Sequence, residues 1–197
     1  MFSLASLSGI IWLALSYNTL SAQGSSVLWE LGQGVKHLGI VVVAIAFLLG
    51  VTGLLTPSPT SIGMEGRASR EDAVQGVLRV TRHPFLWAVA LWAAFHLAAN
   101  GDVASVIFFG TFLLLAVLGT YSIDAKRART MGEAWQGFAR RTSNIPFAAI
   151  AGGRNTFELG ELLSYRLAVA VLAFVAMLFV HARLFSASPF LGGWVPF

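Results

Sequence analysis

Long apolar stretches dominate this chain, and its polar residues gather in the gaps between them. Five runs stand out: Phe2–Leu20, Val35–Leu55, Pro84–Ala99, Val103–Ile123 and Tyr165–Phe185. Crossing the hydrocarbon core of a bilayer takes about 20 mostly apolar residues in an α-helix, so each run predicts a membrane helix. The third run is short, so its ends must approach the interface or the bilayer must thin around it. The pattern predicts an all-α, polytopic transmembrane helical bundle of about five membrane helices, forming a single domain over residues 1–197.

The gaps carry their own signals. Small residues in the first run (Ser3, Ala5, Ser6, Ser8, Gly9) permit close helix packing. Trp29, in the following loop, suits an interfacial anchor. Thr56-Pro57-Ser58-Pro59-Thr60 cannot continue the second helix. Residues 60–80 form a polar loop with a short amphipathic stretch around Ala73–Val80. Pro84 suits the first position of the third helix, where its missing N–H would be unpaired anyway. Gly101 is expected to cap the end of that helix and Asp102 the start of the next. A link this short predicts an antiparallel helical hairpin. The hairpin would bring Arg82 and His83 beside Tyr121 and Asp124, as an Arg82–Asp124 pair or as separately solvated charges. Lys126–Phe147 is basic and aromatic, and is expected to lie on the membrane surface with its arginines facing anionic lipid. The last helix ends at Ser188-Pro189, before a tail rich in glycine and proline.

Composition narrows the class. Of 197 residues, 56% are hydrophobic and 11% charged, with a mean hydropathy of +0.74, which excludes an ordinary soluble domain. The absence of cysteine excludes disulfides, thiol catalysis and thiolate-held metals. No Gly-rich phosphate loop and no HExxH sequence is present. The net charge of +4 points to topology and a lipid surface and not to nucleic acid, because eleven of the thirteen basic residues follow the second and fourth runs. Only Lys36 and Arg183 fall at the other side. Lys/Arg bias marks the cytoplasmic side, so the N-terminus is expected inside and the C-terminus outside. The first run lacks a positive n-region and Leu20-Ser21-Ala22 is a poor cleavage site, so it is taken as a membrane helix and not as a signal peptide.

Histidines carry the candidate chemistry. His96 and His181 lie in or near the end of apolar runs, and an ionisable side chain within a membrane helix points to function. Neutral imidazole can ligate a metal or haem iron; the alternative is a neutral histidine bonded to a neighbouring helix. His83 and His96 are thirteen residues apart on one helix, about 20 Å along its axis, so they cannot share one metal ion. His37, His96 and His181 all fall toward the outer side. A haem iron with two protein ligands would therefore pair His96 with His181 or His37, with Trp92, Phe95, Phe108, Phe174 and Phe179 as candidate lining. There is no CxxCH, so covalent haem attachment is excluded. His83, beside Arg79, Arg82 and a helix start, is expected to attract an anion, unless those arginines are topology signals alone.

The stretch GVLRVTRHPFLWAVALWAAFHLAANGDVASVIFFG, followed by GTYSIDAKRARTMGEAWQGFARRTSNIPFAAIAGGR, resembles the NnrU family of bacterial membrane proteins. The resemblance runs from about Phe2 to Pro189. It implies a multi-pass protein of the bacterial inner (plasma) membrane with a role linked to denitrification. Components of nitrite or nitric oxide reductase would be its partners. The same family includes the 15-cis-zeta-carotene isomerases of plants and cyanobacteria, which use b-type haem for redox-gated double-bond isomerisation. His83 and His96 match two histidines shared with those enzymes, and His96 stands at the position of a haem ligand. Members usually begin with a further helix bearing a His-Ser pair, which supplies the partner ligand. This chain begins after it. Either the true start lies upstream, giving six spans and an outside N-terminus, or His181 or His37 substitutes, or no haem binds. A more distant resemblance links Arg82-His83-Pro84 to membrane methyltransferases of the isoprenylcysteine carboxyl type, where a histidine and later acidic residues hold S-adenosylmethionine. Here the Tyr-x-Gly continuation is missing, and Asp124-Ala125 stands where two glutamates are expected. Enzymatic activity is left open by the residues themselves.

Overall fold

A computed structural model describes residues 2–32 and 34–190. Within them the chain is helical. The elements are α1 (Phe2–Gln23), α2 (Gly34–Leu55), α3 (Val77–Val80), α4 (Pro84–Ala99), α5 (Val103–Arg141), α6 (Ala148–Ala151), α7 (Leu159–Leu162) and α8 (Tyr165–Phe185), with 3-10 turns at Glu65–Ser69 and Glu71–Ala73. Among the described residues, four helices are long and apolar enough to cross a membrane, at Leu4–Gln23, His37–Leu55, Val103–Arg141 and Tyr165–Phe185; α4 is a shorter apolar helix. The architecture is the expected multi-pass helical bundle. The tail beyond Phe190 and the side chain of Lys36, used above for topology, lie outside the described residues.

Helix α4 is the centre of the bundle, packed against α2 on one side and α5 on the other, while α8 covers α2. The seam between α2 and α4 is made of small residues. Gly39, Ala46, Gly50 and Gly53 are buried along one face of α2, where Gly50 and Gly53 meet the buried Ala88 and Pro84 of α4. The approach is close enough that a Cβ on Gly53 would come within 2.7 Å of Pro84. Where lipid offers no hydrophobic gradient between helices, such contact is what holds them together. At 16 residues, α4 is about 24 Å long, short of the ~30 Å hydrocarbon core.

Helix α5 starts where the sequence indicates. Asp102 caps it, accepting from Ser105 N at 3.1 Å. Gly101 has a different role from the expected one. Asn100 is the C-cap of α4, with its N–H on the His96 carbonyl, and Gly101 instead makes room for Trp29, whose carbonyl a Cβ would overlap. Leu28 and Trp29 donate their N–H groups to Gly101 O, and Trp29 Nε1 donates to Ala98 O at 2.9 Å. Trp29 thus staples the loop between α1 and α2 onto the α4–α5 turn.

The far end of α5 also departs from expectation. The helix does not stop at Ile123 but runs to Arg141, interrupted by non-helical backbone at Gly132 (φ 54°, ψ −128°). The bend turns the last part of α5 back onto the 60–80 loop, where Trp135 and Phe138 bury themselves with Ala68 and Ala73. Arg127, expected to face lipid, points inward: Nη1 binds Glu65 and Nη2 donates to the carbonyls of Thr60 and Ser61. The loop offers a carboxylate and backbone carbonyls, which a guanidinium fork satisfies better than a lipid headgroup would. Lys126, Arg129, Arg140 and Arg141 are exposed.

Candidate functional site

Two candidate sites sit at opposite ends of α4. The first is built around its start. Thr81 is extended (φ −155°, ψ 147°), and Arg82 N donates to Ser143 O at 2.9 Å, so this strand of chain lies along the break after α5. Thr81 Oγ1 donates to Asn144 O at 2.6 Å and accepts from His83 N at 3.2 Å. These bonds aim the Arg82 and His83 side chains together at Asp124. Arg82 Nε approaches both Asp124 oxygens at 3.0 and 3.1 Å, while His83 Nε2 lies 2.7 Å from Oδ1. Arg82 Nη1 also reaches the Ala139 and Thr142 carbonyls, and its guanidinium lies over the Trp135 ring at 5.6 Å. Asn144 completes the hub, donating to Thr120 Oγ1 at 2.9 Å, while its carbonyl accepts from Trp87 Nε1 at 2.8 Å.

Of the two arrangements the hairpin left open for Arg82 and Asp124, the ion pair is the one present. The anion expected at His83 is the chain's own carboxylate. His83 is 3% exposed, and its Nε2 faces Asp124, not an open cleft, although the methyltransferase resemblance assigns this histidine to a cofactor. Tyr121, expected beside the pair, is exposed. Charges paired this closely and half-buried act as a clamp between α4, α5 and the segment at Asn144.

The second site lies at the other end of α4. His96 and His181 line one cavity of about 370 Å³ between α2, α4 and α8. Most of its wall is apolar, including Val43, Phe95, Phe174 and Leu178, and Ala187–Pro189 closes one edge. Each histidine is oriented in the same way. His96 Nδ1 is 2.8 Å from Trp92 O, and His181 Nδ1 is 2.7 Å from Ala187 O. A carbonyl only accepts, so both Nδ1 atoms carry the proton, and in the neutral ring Nε2 keeps the electron pair. A metal-ligating histidine usually donates its other ring N–H in this way, which fixes the tautomer and the ring's orientation. His96 is also packed on Phe109, with ring centroids 5.1 Å apart and 29° between planes.

Sequence expectations sort cleanly here. His96 and His181 share the cavity, while His37 is exposed and outside its lining. Of the five aromatic residues expected around a bound group, Phe95 and Phe174 line the cavity. Trp92 and Phe108 belong to the ring cluster behind His96, with Phe109 and Phe112. Sequence reasoning missed Asn144 and Trp87 in the first site, and Gly39 in the second. Asn144 fell within the basic, aromatic segment Lys126–Phe147; an amide placed between a Thr-Ser pair and Ile-Pro was the available signal. Gly39 underlies Phe95, whose ring a Cβ would overlap.

Comparison with known proteins adds a family. The family model described as NnrU protein matches residues 1–189. The chain is 32% identical over 79 residues to 15-cis-zeta-carotene isomerase, chloroplastic, of Arabidopsis thaliana, which is 40% of this chain and 22% of that protein. The protein of that name from Zea mays matches with the same identity and coverage. The match therefore spans about a fifth of the length of those relatives. No solved structure matches the chain.

Proposed function

The chain belongs to the NnrU family, and we propose that it is a membrane haem protein, holding a b-type haem through His96 and His181 and acting on an apolar polyene as an isomerase-like enzyme. The observation that carries this reading is the pairing of two imidazoles from different helices on one apolar cavity, each with Nδ1 on a backbone carbonyl and Nε2 left basic. That donor set fits haem iron. When bound, the group supplies one-electron chemistry at an iron centre.

The chain's own residues do the rest. Trp92 O and the Phe109 ring fix the His96 imidazole, and the turn after α8 fixes His181 through Ala187 O. Phe95, Phe174 and Val43 exclude water from the wall. At about 370 Å³ the cavity lies at the lower end of the ~300–1,000 Å³ usual for small-molecule sites. A cavity of this size does not enclose a long polyene, which would lie along its rim. The isomerase part of the proposal rests on the similarity to the two carotene isomerases. The denitrification link, with nitrite or nitric oxide reductase components as partners in a bacterial plasma membrane, is the second reading. The same cavity suits it, because nitric oxide is a small apolar ligand of haem iron.

The test is an oxidised-minus-reduced visible spectrum of the protein purified in detergent from haem-supplemented cells. A b-type spectrum that persists in His37→Ala and is lost in His96→Ala and in His181→Ala is the expected result. An unaltered spectrum in His96→Ala, or no haem in the wild-type protein, overturns the proposal.

A further inference from the structure

Arg79, Arg141 and Arg154 converge on a separate cleft of about 370 Å³ at the basic end of the bundle, together with Glu71, Asn155 and Thr156. The three guanidiniums are held differently. Arg79 is fully engaged: Nε and Nη2 fork onto Glu161 at 2.8 Å each, and Nη1 reaches Asn155 Oδ1 at 2.9 Å. Arg154 Nη1 donates to the carbonyls of Arg140 and Thr142 at 3.0 and 3.1 Å, which fixes the side chain without neutralising it. Arg141 is exposed and makes no hydrogen bond or ion pair among the described residues. Glu161 answers Arg79, and Glu71 lies on the rim. Glu158 Oε1 accepts from Thr156 Oγ1 at 2.9 Å, so a further carboxylate stands beside the cleft, and Arg141 and Arg154 are the cleft guanidiniums with no carboxylate partner among the described residues.

Next to the cleft is an apolar ridge. Thr156, part of the cleft wall, is followed directly by Phe157. Phe157 and Phe147 are about half exposed, with ring centroids 6.4 Å apart, and Ile145 and Leu159 are exposed as well. Phe147 sits in the left-handed region (φ 64°, ψ −6°), which a bulky side chain seldom adopts. Its N–H donates to Val80 O at 2.8 Å, so the surrounding structure holds this phenylalanine outward. Exposed aromatic rings beside the unbonded Arg141 reproduce the chemistry of a membrane interface, where acyl chains meet phosphates.

We propose that this surface is a binding site for an anionic phospholipid, its phosphodiester held by Arg141 and Arg154 and its acyl region meeting the Phe147–Phe157 pair. The test reconstitutes the whole chain into phosphatidylcholine nanodiscs with and without phosphatidylglycerol. Lipid retained after transfer to detergent is then read by native mass spectrometry. Wild-type protein is expected to retain phosphatidylglycerol in preference to phosphatidylcholine. Arg141→Gln should reduce that retention about fivefold, as expected for one interfacial arginine, and Phe147→Ser should reduce it as well. Arg141 is unbonded, so its variant should unfold at the wild-type temperature. Equal retention of phosphatidylglycerol by wild type and Arg141→Gln overturns the proposal. Protection by inorganic phosphate in pure phosphatidylcholine discs, with no preference for phosphatidylglycerol, overturns it too and makes the cleft a site for a soluble anion.

Discussion

His83 Nε2 lies 2.7 Å from Asp124 Oδ1, tying the first residue before α4 to the middle of α5. Arg82 binds the same carboxylate from the preceding position. Removing the carboxylate leaves an arginine 13% exposed at its side chain with no counter-charge. Asp124→Ala is therefore expected to destabilise the protein by about 3 kcal/mol, the lower end for a broken buried pair. Unfolding in detergent with increasing denaturant measures it. A loss no larger than that of an exposed pair, under about 1 kcal/mol, would show that the clamp is not a structural one.

Gly39 and Phe95 set the shape of the histidine cavity. A Cβ on Gly39 would overlap the Phe95 ring, and both residues line the cavity. Gly39→Val is expected to push the ring aside, with a loss of about 1–3 kcal/mol from overpacking and reduced occupancy of any group bound between His96 and His181. Adding Phe95→Ala should relieve the overlap, so the double variant should recover part of the stability. Simple additivity of the two losses would refute the contact.

Gly132 bends α5 with φ 54° and ψ −128°, a region essentially closed to side chains. Gly132→Ala should either strain the bend by about 1–3 kcal/mol or straighten the helix. Straightening would pull Trp135 and Phe138 away from Ala68 and Ala73. Hydrogen exchange over residues 65–80 reads the difference: faster exchange signals straightening, while unchanged exchange with a lower unfolding midpoint signals strain.

The Arg79–Glu161 pair gives an acid-side signature. Hydrogen bonds from the Arg79 guanidinium, aided by the Gly76 N–H, hold the Glu161 carboxyl below its ordinary value of 4.5. A depressed carboxyl contributes stability that is full above the unfolded value and is lost as pH falls through the folded one. The wild type should therefore outlast Glu161→Gln at neutral pH, and the gap should close below about pH 4.5. A gap independent of pH from 3 to 7 would contradict the ion pair (roughly the acid-titration range).

Much of this molecule was legible along the chain. The apolar runs placed the helices, because a span must be long and apolar wherever it lies in the fold. Pro84 and Asp102 marked helix starts, since capping is a local matter. The short α4–α5 turn brought Arg82 and Asp124 to the same end of the hairpin, because a tight hairpin leaves little freedom in register, but left open whether they pair. Tertiary structure alone decided the rest. Basic residues look alike in sequence, yet Arg127 is buried on Glu65 while Arg141 stands free, because only the fold determines which of them meets a carboxylate. His37 and His181 were equal candidates to stand with His96. The packing of α8 over α2 brought His181 to the cavity and left His37 outside. Composition and periodicity determine which segments leave water. Which side chains then face each other depends on helix rotation and close contact, set by glycines such as Gly39 and Gly53 whose partners lie about 30 to 56 residues away in the chain.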